Sequence, residues 1–215
     1  IRKGVDFTYY KQPTIRRRIL RRLAILKQDH VVDYLQHLKQ NKQEQDILFL
    51  DLLIPVTEFF RDPKIFETLC ETVFPEKIKN KSVNNPLRIW IAGCSNGAEA
   101  YSIGMCLHEY LSDKISTIKI QIFATDISEK SIAKARTGQY QKRELEGVSE
   151  SRLQQFFTKT DGTYQVKKTI RDMCVFAVHN FLKDPPFAKM DFISCRNVLI
   201  YMEPFLQNKA FTTFH

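Results

Sequence analysis

Residues 87–111 read LRIWIAGCSNGAEAYSIGMCLHEYL. The opening LRIWIAGC (87–94) has the apolar density of a strand buried on both faces, and AEAYSIGMCLHEYL (98–111) has the length and spacing of a helix. Between them lies the turn Gly93-Cys94-Ser95-Asn96-Gly97. The pattern repeats at once: IKIQIFATD (118–126) reads as a strand and SEKSIAKART (128–137) as a helix. Strand, helix, strand, helix in this rhythm predicts a mostly parallel α/β sheet with right-handed crossovers.

Downstream, residues 138–172 are more polar. Asp161-Gly162, between QQFFTKT and TYQVKKT, is a hairpin signal and predicts a small antiparallel insertion. Strand patterns return at CVFAV (174–178) and DFISC (191–195), the second running into Arg196-Asn197. The chain then ends at FTTFH without another strand pattern, so the α/β domain is expected to lack its last strands.

Upstream, the polar stretch KIKNKSVNNP (77–86) separates the α/β pattern from a helical segment at 63–74. The first fifty residues read as helices. Thr14 is expected to cap a helix to about Lys27, with Ile15, Ile19, Leu23 and Leu26 on one stripe. Arg17, Arg18 and Arg21 lie opposite, with Arg16 and Arg22 on the flanks. A second helix from Asp29 is expected to use Val32, Leu35 and Leu38, and a third to cover 43–53. The resulting division is a basic all-helical domain (1–54), a connecting segment (55–86) and an α/β domain (87–215).

Composition narrows the class. The 215 residues are 43% apolar and 27% charged, which excludes wholesale disorder. The apolar stretch ILFLDLLIPV (47–56) is broken by Asp51 and falls short of the roughly 18 residues that would span a membrane. The start, IRKGVDFTYY, has no signal-peptide core. Cys70, Cys94, Cys106, Cys174 and Cys195 form no CxxC pair, so neither a zinc site nor a disulfide framework is indicated, and a reducing cytoplasm is expected. The net charge of +9 is uneven: residues 1–50 hold eleven Lys and Arg against five Asp and Glu. A basic module ahead of a nearly neutral body suggests an acidic partner.

Three of only seven glycines, Gly93, Gly97 and Gly104, fall within twelve residues after the first sheet strand. The turn they open lets backbone approach a ligand, but it is neither GxGxxG nor a Walker loop, which disfavours dinucleotides and nucleoside triphosphates. Asp126 ends the second strand, where a carboxylate can accept both ribose hydroxyls. Glu99, one turn into the helix, can meet a ligand ammonium. Together these outline an adenosine with a small zwitterionic tail, and S-adenosylmethionine (SAM) fits. Each feature also has a plain structural reading: a tight turn, a helix cap and a favourable helix-terminal charge.

The sequence resembles the CheR family of SAM-dependent protein-glutamate O-methyltransferases, which modify chemotaxis receptors. The resemblance rests on ordered matches: Thr57-Glu58-Phe59-Phe60-Arg61-Asp62, the stretch Gly93 to Ser102, Ala124-Thr125-Asp126-Ile127, Ala135 to Tyr140, His179-Asn180, and Cys195 to Tyr201. It implies a Rossmann-like methyltransferase domain. Cofactor contacts would fall on Thr57, Arg61, Gly93, Glu99, Asp126, Asn180, Phe181, Arg196 and Asn197, with Arg61 and Tyr201 beside the transferred methyl. Pro55 stands where the family usually has Asn, and Asn96, Ala98 and Ala100 depart from its usual Gly turn.

The implied products are a glutamate methyl ester and S-adenosylhomocysteine, with no metal. A monomer acting on acidic helical receptors is expected, with Arg17, Arg18 and Arg21 docking the substrate. Three other readings stand beside it: a non-catalytic SAM-binding signalling module, an enzyme for a small carboxylic acid, and a nucleic-acid methyltransferase. The last is suggested by Asp184-Pro185-Pro186-Phe187, which resembles a DPPY box. In those enzymes the box follows the fourth sheet strand, whereas here it precedes DFISC, and no nucleic acid is expected.

Overall fold

The computed structural model describes residues 5–215. The N-terminal helices are α1 (Gln12–Leu26), α2 (Val31–Gln40) and α3 (Lys42–Leu52). Then come α4 (Pro63–Thr68), a π turn at Leu69–Val73 and α5 (Phe74–Ile78). The α/β part begins with β1 (Leu87–Ala92), α6 (Ala98–Leu111), β2 (Ile120–Asp126) and α7 (Glu129–Thr137). It continues through β3 (Gln139–Gln141), α8 (Glu150–Phe156), β4 (Phe157–Thr160), β5 (Thr163–Val166) and α9 (Lys168–Arg171). The last elements are β6 (Cys174–Val178), β7 (Phe192–Ser194) and α10 (Pro204–Phe214).

Chain contacts define two units, one of Ile1–Pro55 with Asn197–His215 and one of Val56–Arg196. By chain contacts, the last residues group with the N-terminal helices.

In the larger unit the sheet has the order β6-β2-β1-β7, all parallel, and a smaller antiparallel sheet has the order β3-β5-β4. The expected hairpin forms at Asp161-Gly162, where Gly162 has φ 79°. β1 is central, so both its faces are covered: Leu87, Ile89, Trp90, Ile91 and Ala92 are buried. Trp90 is fully enclosed, donating its indole N–H to Thr125 Oγ1 at 2.9 Å and meeting the rings of His179 and Phe187 edge-on. α6 is buried along most of its length, which explains why its sequence is apolar on nearly every side.

The helical segment expected at 63–74 continues to Ile78. Pro75 has no N–H to give and its ring crowds the carbonyl four residues back, and the chain meets this with the widened turn at Leu69–Val73.

In the smaller unit, Leu23, Tyr34, Leu48 and Leu52 form the core, with Ile15, Ile19, Leu26 and Leu38 packed on it. The predicted α1 stripe is thus the buried one. Three details differ from expectation. α1 starts at Gln12 with Lys11 as its N-cap and Thr14 inside it, because Pro13, lacking an N–H and fixed near helical φ, belongs in the first turn. α2 turns Tyr34 inward and leaves Val32 and Leu35 exposed. Arg22 is not on a flank but buried, its guanidinium paired with Glu44 at 2.8 and 2.7 Å, while Tyr34 donates to the same carboxylate at 2.8 Å.

Candidate functional site

Three parallel strands bring their carboxyl ends together: Ala92 pairs with Thr125 on β2, and Ile91 with Ser194 on β7. The connections from β1 run to β2 on one side and eventually to β7 on the other. Strand order reverses beside β1, and in open α/β sheets ligands bind in that crevice.

The Gly turn is built there. Gly93, Ser95 and Gly97 all have positive φ, at 82°, 50° and 89°. A Cβ at Gly97 would stand 2.9 Å from that of Ala135, so this position needs glycine both for conformation and for space. The N–H groups of Gly93 and Cys94 both donate to the Thr125 carbonyl, at 2.7 and 2.8 Å. The Tyr140 hydroxyl, from β3, donates to the Asn96 carbonyl at 2.6 Å. Asn96 itself accepts the Ala98 N–H at 3.1 Å, supporting the entry to α6.

Asp126 ties turn to strand. One carboxylate oxygen accepts from the Ser95 N–H at 2.8 Å and the other from the Ser128 N–H at 2.9 Å. Ser128 caps α7 by accepting the Ser131 N–H, which leaves Asp126 out of the capping role. Burial raises the Asp126 pKa, opposed by the N–H groups of Ser128, Ser95 and Ile127. With three N–H groups on it, the carboxylate still keeps acceptor capacity for a ligand.

Glu99, in the first turn of α6, crosses to β7. Ser194 donates to it at 2.5 Å, and the Arg196 guanidinium lies 3.8 Å from its other oxygen. Desolvation raises its pKa despite Ser194, Arg196 and Arg61 nearby. Arg196 is occupied chiefly elsewhere: Nη2 donates to the Arg61 carbonyl at 2.7 Å and to Asp62 at 2.9 Å, over the ring of Phe66. Glu99 is thus largely shielded from water, with Ser194 and Arg196 offsetting that burial only in part.

The Thr57–Asp62 segment is fixed from below. Phe60 and Asp62 adopt left-handed φ of 53° and 60°, and the Phe60 N–H donates to Ser102 Oγ on α6 at 3.0 Å. Arg61 reaches the Val56 carbonyl at 3.4 Å, and Thr57 is half-buried. On the β6 side, the His179 N–H donates to the Asp126 carbonyl at 3.0 Å. Asn180 follows, its side-chain oxygen accepting the Leu182 N–H and its own N–H donating to Asp184, and Phe181 is buried. The Asp184–Phe187 stretch is loop leading towards β7.

The larger unit thus holds two bonded groups, Gly93 with Thr125 and Asp126 with Ser95 on one hand and Glu99 with Ser194, Arg196 and Arg61 on the other, with Asn180 and Phe181 just beyond β6. Asn197, with φ 57°, and Tyr201 fall in the smaller unit, where the Tyr201 carbonyl accepts the Lys11 N–H at 2.9 Å. Among the expected docking arginines, Arg17 and Arg21 are exposed. Arg18 corrects the outward-facing expectation: it is half-buried, and its Nε is enclosed without a hydrogen-bond partner. Ser194 went unanticipated, because a serine inside a short strand has no spacing that marks it.

The residues fit SAM by their own chemistry. The Ser95 hydroxyl is buried without a partner at the turn, Glu99 lacks a full counter-charge, and Asp126 has acceptor capacity left. A ligand with an ammonium and vicinal hydroxyls complements all three. Among the described residues, no group of three or more His, Cys, Asp and Glu could hold a metal ion. No described helix is long and apolar enough to cross a membrane.

Comparison with known proteins agrees with this chemistry. Residues 55–215 match the family model described as CheR methyltransferase, SAM binding domain, and residues 2–53 match CheR methyltransferase, all-alpha domain. A chemotaxis protein methyltransferase of Listeria monocytogenes is 31% identical over 211 residues, covering 98% of this chain and 78% of that protein. Chemotaxis protein methyltransferase 1 of Pseudomonas aeruginosa is 37% identical over 164 residues, 74% of this chain and 60% of that protein. An uncharacterized 104.1 kDa protein of Rhodobacter capsulatus is 37% identical over 211 residues, of which the chain spans only 22% of the length.

Proposed function

Because this chain belongs to the CheR methyltransferase family, we propose that it transfers a methyl group from SAM to glutamate carboxylates of a chemoreceptor or related acidic helical protein. The products are a glutamate methyl ester and S-adenosylhomocysteine. The observation that carries this reading is Glu99: a buried, under-compensated carboxylate at the strand-order reversal, across from Asp126 at the end of β2.

Asp126 would accept the ribose hydroxyls and Glu99 the ammonium, with Ser95 and the Gly93 turn lining the ligand. Thr57, Asn180, Phe181 and Asn197 would complete the contacts, and Arg196 would hold the Arg61 segment in register. When bound, SAM supplies an electrophilic methyl on a sulfonium. The acceptor glutamate, with an ordinary pKa of about 4.3, is already ionised at neutral pH, so the protein needs no general base. Its work is orientation and exclusion of water. Arg61 would steer the incoming carboxylate without a tight ion pair, and Tyr201 would stand at the methyl.

Calorimetry with S-adenosylhomocysteine tests the site. Asp126→Ala should weaken binding by about 1–3 kcal/mol, the range for hydrogen bonds to a charged group. Arg61→Ala and Tyr201→Phe should lower kcat for a receptor fragment more than they weaken product affinity. Unchanged affinity in Asp126→Ala would remove the ribose assignment, and unchanged kcat in both other variants would remove the methyl-site assignment.

A further inference from the structure

Ser194 stands where the sheet calls for an apolar side chain. It ends β7 opposite Ile91, and Ile91 is flanked on its other side by Ala124, so one row across the sheet reads Ala124, Ile91, Ser194. Ala124 and Ile91 are fully enclosed, and Ser194 is only 5% exposed. A hydroxyl in such a row costs free energy unless it is hydrogen-bonded. Its proton goes to one carboxylate oxygen of Glu99 on α6, at 2.5 Å, and a serine has only one proton to give.

Glu99 has little else to hold it. Arg196 Nη1 lies 3.8 Å from its second oxygen, too far for a hydrogen bond. The Nη2 of the same guanidinium is committed to the Arg61 carbonyl and to Asp62. One Glu99 oxygen is therefore fixed by Ser194, and the other keeps its acceptor capacity.

We propose that Ser194 is a positioning residue for the cofactor ammonium: its hydroxyl binds one oxygen of Glu99, fixes the carboxylate plane and leaves the second oxygen for the ligand. The proposal rests on the assignment of Glu99 as the ammonium partner and adds what makes that carboxylate competent. The same bond acts on its charge. A donor favours the ionised form, so Ser194 opposes the upward shift that burial imposes, with Arg196 and Arg61 acting in the same direction. Cys94, in the Gly turn, and Cys195, after β7, also sense the Glu99 charge. Burial raises both thiols, Cys195 to about 12, so neither acquires charge near neutral pH. Without the hydroxyl, the Glu99 carboxyl would take up its proton at higher pH and turn about its last bond. A protonated carboxyl offers an ammonium no counter-charge.

The test is calorimetry on the full chain with two ligands, from mildly acid to mildly alkaline pH. S-adenosylhomocysteine carries the ammonium; 5′-methylthioadenosine shares the nucleoside and thioether but has no amino-acid end. Asp126 meets the ribose of both, so the ratio of the two affinities isolates the subsite of Glu99. Ser194→Ala should weaken S-adenosylhomocysteine about tenfold at neutral pH, the scale of a hydrogen bond to a charged group, and leave 5′-methylthioadenosine unchanged. The loss of preference in acid should also begin at higher pH than in wild type. Ser194→Thr, which keeps the hydroxyl and suits a strand, should restore the ratio and its pH profile. Thermal melts establish that the variants are folded, and Ser194→Cys, a weaker donor, should move the ratio in the same direction should the alanine variant fail to fold. Equal losses for the two ligands would make Ser194 merely structural and overturn the proposal, as would an unchanged ratio and pH profile. Wild type without preference for S-adenosylhomocysteine would instead overturn the Glu99 assignment beneath it, and this proposal with it.

Discussion

Burial disfavours the charged form of Glu99. Its folded pKa lies above the ordinary carboxylate value, chiefly through desolvation, so its ionised form opposes folding and does so increasingly as pH rises through the unfolded and then the folded value. Glu99→Gln removes that penalty. Its ligand-free melting temperature should therefore exceed wild type at neutral pH and converge with it in acid, while S-adenosylhomocysteine affinity falls by about 1.5–3 kcal/mol. Scanning calorimetry with and without product measures both, and parallel losses in the two would remove Glu99 as an ammonium partner. The sequence exposed Glu99 and Asp126 because each sits one step from a strand end or a Gly turn, where pattern and chemistry coincide. It hid Ser194, whose importance arises from Ile91 standing opposite it in the sheet, a pairing only topology creates.

At the scale of elements, the Thr57–Asp62 segment depends on a distant glycine. A Cβ on Gly147 would lie 2.2 Å from the Phe59 carbonyl oxygen, a backbone atom that cannot swing aside. Gly147→Ala should cost about 1–3 kcal/mol of stability, in the range for overpacking, and should also reduce product binding by displacing the Arg61–Asp62 clamp on Arg196. Urea melts and calorimetry test the two effects, and full affinity with lowered stability would uncouple the clamp from the site. Strand and helix identities in the α/β part were legible because periods of two and of 3.6 residues separate cleanly there. The orientation of α2 was not. Val32, Leu35 and Leu38 make as good a stripe as Tyr34 and Leu38, and the choice falls to Tyr34 because its hydroxyl completes the Glu44–Arg22 group.

Across the whole molecule, charge is arranged in two different ways. Arg22 and Glu44 form a buried pair whose Glu44 pKa is lowered, first by the hydrogen bond from Arg22. That stabilisation is present above the unfolded carboxylate value and is lost as pH falls through the folded one. Arg22→Ala leaves a buried carboxylate alone and should cost about 3–5 kcal/mol, and it should shift the midpoint of acid unfolding towards neutrality. The exposed Arg17 and Arg21 of α1 are the groups proposed to meet an acidic substrate. Reversing Arg17 and Arg21 to Glu should raise KM for a receptor fragment and flatten its dependence on salt, which screens such contacts over about 8 Å at physiological ionic strength. Equal KM in the reversal would make this face a solvated one. The charge asymmetry of residues 1–50 was legible from composition; which arginine the core claims was not, since Arg22 differs from Arg21 only through a glutamate twenty-two positions away.

The chain has one tryptophan, and Trp90 is enclosed in β1 with its indole N–H on the side chain of Thr125, the neighbour of Asp126. Its emission therefore has a single origin, lies at the short wavelengths of an indole away from water, and starts one residue from the proposed ribose partner. Titration with S-adenosylhomocysteine should change that emission and yield an optical isotherm without any label, with Asp126→Ala shifting its midpoint to higher ligand concentration. Red-shift during urea unfolding would report the opening of the parallel sheet alone, allowing the α/β unit to be followed in a chain whose helical unit stays spectroscopically dark at the same excitation.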